Sequence, residues 1–72
     1  MNVLIDRRSG SFTMSGLSFE QMKHISDGLL IKKKYLAARE TDRGEDHAIG
    51  KAICETTANA VMEAINKYLE TL

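Results

Sequence analysis

The sequence predicts a mainly α-helical fold, in which a short N-terminal β-hairpin precedes an antiparallel two-helix hairpin that oligomerisation completes into a helical bundle. Three observations carry this reading. Helical periodicity runs from Ser18 to Leu72 with one polar interruption, Thr41 to Asp46; short alternating apolar segments come before it; and the 72-residue chain holds a single cysteine. A chain this small buries only about 60% of the surface its unfolded form exposes. Cys54 has no intrachain mate, so association is the remaining common route to a stable core.

The elements follow in order within a single domain, 1–72. Residues 1–16 read as a β-hairpin or an extended arm. Val3, Leu4 and Ile5 lie in the first segment, and Phe12 and Met14 alternate with Ser11, Thr13 and Ser15 in the second. Gly10 suits the left-handed position that a short hairpin loop often needs. An isolated two-stranded hairpin is marginal in water, so its apolar face needs the helices or another copy. Helix one is expected over 18–40. Ser18 and Gln21 stand in capping-box spacing, and Leu17 is placed to staple against Met22. Met22, Ile25, Leu29 and Leu36 form one apolar stripe; Ile31, Tyr35 and Ala38 form another. Gly28 costs about 1 kcal/mol relative to alanine in a helix interior and marks a bend or a close crossing.

Helix two is expected over 46–71, capped either by Asp42 with Glu45 or by Asp46. The short loop makes the helices antiparallel neighbours. Ile49, Ile53, Thr57, Ala60 and Ala64 lie on one line of it, and Cys54, Ala58, Val61, Ile65, Tyr68 and Leu72 on the adjacent one. Lys51 with Glu55, and Glu63 with Lys67, are spaced for weak surface pairs. Each helix therefore carries more apolar surface than one partner helix covers. The expected oligomer interface is Ile49, Ile53, Thr57, Ala60, Val61, Ala64, Ile65 and Tyr68.

Ten basic and ten acidic residues give a formal charge of zero, which argues against a protein whose main task is neutralising a phosphate backbone. No apolar run reaches the roughly 20 residues of a membrane span and no signal-peptide pattern is present, so a reducing cytoplasm is expected. His24 with Glu20 and Asp27 is a sparse metal-ligand set, and His47 and Cys54 are too far apart on their helix for joint ligation, so no metal or other cofactor is expected. Catalysis would need a nucleophile beside an oriented base, and the pairs Ser26/His24 and Cys54/His47 are coincidences of composition, so no enzyme is expected. Lys32, Lys33 and Lys34 span about 300° of helix and read as a solvated face with apolar stems. Nucleic-acid binding through them is the weakest functional alternative. Arg7, Arg8, Arg39 and Arg43 are candidate anion-binding residues if oligomerisation brings copies together, since the guanidinium fork suits phosphate or carboxylate.

In its general plan, a short β segment ahead of a helical hairpin opened by Leu17-Ser18-Phe19-Glu20-Gln21, the chain resembles small bacteriophage and prophage accessory proteins. That resemblance implies binding and inhibition of a host protein, or sequestration of a small nucleotide at an oligomer interface, and carries over no site residue. The residues themselves lead to a non-catalytic homo-oligomer that engages and modulates a cytoplasmic protein target. The alternative is a small anion or nucleotide held between protomers.

Overall fold

The computed structural model describes residues 1–72 and orders them as β1 (Asn2–Asp6), β2 (Ser11–Ser15), α1 (Phe19–Arg43) and α2 (Ala48–Glu70). The expected architecture is the one observed: an antiparallel two-strand hairpin followed by two helices. Val3 pairs with Met14 and Ile5 with Phe12, so these four side chains share one face, with Leu4 and Thr13 paired on the other. The turn closes with the Gly10 N–H donating to the Asp6 carbonyl at 2.9 Å, and Gly10 takes a left-handed φ of 70°. The Asp6 carboxylate accepts the Arg8 N–H at 3.0 Å. That bond, followed by those from Ser9, holds its pKa below the ordinary value.

Helix α1 begins with the anticipated capping box. The Gln21 N–H donates to Ser18 Oγ at 3.1 Å and the Ser18 N–H donates to Gln21 Oε1 at 2.8 Å. The helix then runs through Arg43, beyond the expected end at residue 40, and Gly44 stops it in a left-handed conformation with φ 66° and its N–H on the Glu40 carbonyl. Thr41, Asp42 and Arg43 are therefore helical, and the link shrinks to residues 44–47. The capping box expected from Asp42 and Glu45 does not form, because Asp42 is inside α1 and Glu45 is drawn to Arg39. Asp46 does accept the Ala48 N–H at 3.1 Å, although the N-cap position itself falls on His47.

The two helices meet along one seam. The less exposed residues of α1 include Met22, Ser26, Leu29, Lys33, Leu36 and Glu40; those of α2 and its N-cap include His47, Lys51, Cys54, Ala58, Val61 and Ile65. Both sets alternate steps of four and three, the spacing that keeps a seam facing a neighbouring helix. Contacts run in opposite directions along the two helices. Glu40 pairs with Lys51, Lys33 Nζ lies 3.2 Å from Glu55 Oε2, and the Phe19 and Tyr68 rings stack tilted with centroids 5.5 Å apart. The Lys51–Glu55 pair expected within α2 gives way to these crossings, whereas Glu63 and Lys67 do pair, at 3.4 Å.

The core is thin. Leu36, Cys54 and Ala58 are the only buried apolar residues, accompanied by Ser26. Leu36 packs closely over Gly50, where an added Cβ would lie 3.2 Å from Leu36 Cδ1. The molecule measures 43 × 35 × 15 Å with a radius of gyration of 14.7 Å, against about 11 Å for a compact chain of this length. Helix α1 accounts for about 37 Å of the long axis, and two packed helices for about 20 Å of the second. The remainder is the hairpin, whose Cα atoms stay more than 8 Å from those of both helices. The protein is thus an L-shaped plate one helix thick, with the hairpin as its foot.

Candidate functional site

Two zones of the plate gather chemistry. The first is the closed end, where α1 turns into α2. Arg39 Nε and Nη2 donate to the two carboxylate oxygens of Glu45 at 2.6 and 2.9 Å, and Nη1 donates to the Tyr35 hydroxyl at 2.7 Å. His47 Nε2 lies 2.9 Å from Glu45 Oε1, while the His47 backbone N–H donates to Glu40 Oε2 at 2.9 Å. Glu40 also pairs with Lys51. The forked bond from Arg39 lowers the Glu45 pKa from 4.5 to about 2, with His47 adding to it. Reciprocally, Glu45 and then Tyr35 raise that of Arg39. Lys51, followed by the His47 N–H, lowers the Glu40 pKa. Every charged group in this cluster is matched within the chain.

The candidate anion-binding arginines divide accordingly. Arg39 is committed to Glu45 and Tyr35; Arg43 closes the last turn of α1; Arg7 and Arg8 occupy the turn between β1 and β2, beyond the opposite end of α1. One protomer does not bring the four together. In the lysine run, Lys33 bridges to Glu55, Lys32 stands 5.8 Å from the centre of the Tyr35 ring, and Lys34 is exposed. His24, Glu20 and Asp27 are exposed, and no group of three or more histidine, cysteine or carboxylate side chains assembles in a metal-holding arrangement.

The second zone is apolar. Ile49, Ile53, Thr57, Ala60 and Ala64 form an exposed flank along α2, with Ile49 78% and Ile53 60% exposed. Of the other expected interface residues, Val61 and Ile65 are half-buried at the intrachain seam, and Tyr68 rests against Phe19 at the open end. Between the foot of the L and the helix ends lies a cleft of about 360 Å³, lined by Met14, Leu17, Phe19, Met22, Ala64, Ile65 and Tyr68 among others. Leu17 and Met22, expected to staple the start of α1, form part of its wall. Val3, Ile5, Phe12 and Met14 are between 49% and 67% exposed, and on α1 Ile31 and Tyr35 point outward.

Sequence reasoning missed the closed-end cluster. Arg39 was visible as a cation and Glu45 as a cap candidate, but their pairing depends on the turn made by Gly44, and the Glu40–Lys51 crossing depends on helix register. Ser26 gave no signal as a seam residue either; its hydroxyl reaches only the Lys23 carbonyl, at 3.4 Å.

No protein-family model, curated protein or solved structure matches the chain. No helix is long and apolar enough to cross a membrane.

Proposed function

We propose that the protein is a non-catalytic, homo-oligomeric binding protein of the cytoplasm that engages and modulates a protein target. The observation that carries this reading is the imbalance between three buried apolar residues and thirteen exposed large hydrophobic ones. Exposed apolar area on this scale marks a surface that another macromolecule covers. The closed end contributes rigidity to this reading and no free charge, because its ions are matched internally. On the back of α1 away from the seam, Ile31 and the ring of Tyr35, the latter flanked by Lys32 and Arg39, supply a mixed apolar and cationic surface for the target once the α2 flank is occupied by a further copy.

Sedimentation velocity over a dilution series tests the assembly: an oligomer that dissociates on dilution is expected, and a compact, fully helical monomer at micromolar concentration would contradict the reading. Affinity capture from cytoplasm with wild-type protein and with Ile31→Asp, a change at an exposed side chain outside the closed-end cluster, tests the target surface. A protein retained by wild-type and lost with the variant is expected; equal retention by both would remove the back of α1 from the proposal.

A further inference from the structure

The foot of the L and the flank of α2 make one continuous apolar side of the plate. Met14 belongs to the hairpin face that also carries Val3, Ile5 and Phe12, Ala64 belongs to the line that runs back to Ile49, and both residues line the same cleft. Phe12, Met14, Ala64, Ala60, Ile53 and Ile49 mark this side, and the ionic groups beside its α2 part, Glu63 and Lys67, pair with each other at 3.4 Å.

Three quantities indicate what covers it. The plate is 15 Å thick, a single layer, whereas a stable domain buries the apolar face of each layer against a second. The chain exposes 5800 Å², while a folded monomer of 8.0 kDa presents about 4,500 Å². The surplus is therefore about 1,300 Å² per copy, or about 2,600 Å² for two, within the range of obligate homodimers. A chain of zero formal charge also meets its own copy without net repulsion.

Resting on the homo-oligomer reading, we infer that two copies stack these apolar sides face to face, with the hairpin of each, led by Ile5 and Phe12, laid across the Ile49–Ile53 end of the partner's α2. A two-fold axis makes the contact reciprocal: hairpin on helix, and helix under hairpin. Each hairpin gains the helical support its own chain leaves out of reach, and each helix pair gains its second layer. Ala52, Ile53, Thr56 and Thr57 form with Ile49 a shallow open shelf, lined by β-branched and small side chains on which a strand face can seat.

Complementary charge substitution tests this contact. Phe12→Asp and Ile53→Lys each alter an exposed side chain, and each is expected to weaken self-association by about tenfold or more, as truncation of a central interface residue does. Mixed in equal amounts, the two variants are expected to form a heterodimer that recovers both mass and helicity. Wild-type that associates while neither variant weakens it, or variants that weaken it without recovering on mixing, would overturn the hairpin-on-helix contact and leave the homo-oligomer reading intact. A wild-type monomer would overturn both. A photo-crosslinking residue at position 12 gives an independent readout: a crosslink to the partner segment around Ile53 is expected, and crosslinking confined to the partner's own hairpin would overturn the arrangement.

Discussion

The two ends of the plate solve opposite problems. At the closed end, a four-residue link brings Arg39, Glu45, His47, Glu40 and Lys51 together, and each ion finds a partner within the chain. At the open end, the hairpin projects beyond the helices, the Phe19–Tyr68 contact is the last link between α1 and α2, and the cleft beside it leads onto uncovered apolar surface. Short links let polar groups satisfy one another locally, because little chain separates the partners. Apolar surface is satisfied only by area, and 72 residues in one layer do not supply it. The difference assigns fold definition to the polar cluster around the link and association to the apolar surfaces of the hairpin and of the α2 flank.

Both ends fail together when the seam between them is opened. Leu36→Ala is expected to cost about 2–5 kcal/mol, the range for buried leucine truncations, and in so thin a core this abolishes cooperative unfolding in a thermal melt followed by circular dichroism. Gly50→Leu comes next. Its Cβ alone would lie 3.2 Å from Leu36 Cδ1, so Leu36 must shift, and overpacking costs about 1–3 kcal/mol; chemical denaturation with an unchanged m-value would read it. Gly44→Ala, forced into a left-handed φ, is expected to cost about 1–2 kcal/mol, read as a lower thermal midpoint at a fixed protein concentration.

The smallest effect lies in the Arg39–Glu45 pair. The folded pKa of Glu45, about 2, lies below its ordinary 4.5, so the stability it contributes is present above the unfolded value and is lost as pH falls through the folded one. The melting temperature of wild-type should therefore exceed that of Glu45→Gln by a modest amount near about pH 6, with the gap narrowing as pH falls from 4.5 towards 2. A gap that stays constant over this window would show that the pair does not shift the titration of Glu45.

Much of the fold was legible because its signals are local. The Ser18–Gln21 capping box lies within one turn, the alternation of Val3, Ile5, Phe12 and Met14 reports its own face, and the 3.6-residue period reports a helix without reference to its partner. The linker was harder to place. Thr41, Asp42 and Arg43 are polar enough to suggest a loop, yet nothing in them breaks a helix, and α1 continues until Gly44 offers a left-handed stop. Which apolar line becomes the seam was half legible. Periodicity alone puts Cys54, Ala58, Val61 and Ile65 on one line and Ile49, Ile53, Thr57, Ala60 and Ala64 on the next, but which line faces α1, and so that Val61 and Ile65 belong to the seam, needs the register of α1 against α2. Pairs such as Glu40–Lys51 and Lys33–Glu55 belong to that register and to no sequence spacing.

If one plate is half of a fold, its thermal unfolding midpoint depends on protein concentration, and measuring that midpoint across a wide concentration range is decisive. Stability coupled to association rises with concentration by mass action, and the account predicts a midpoint that climbs steadily, with helicity and mass lost together at the dilute end. A midpoint independent of concentration, for a species of monomer mass, would contradict it.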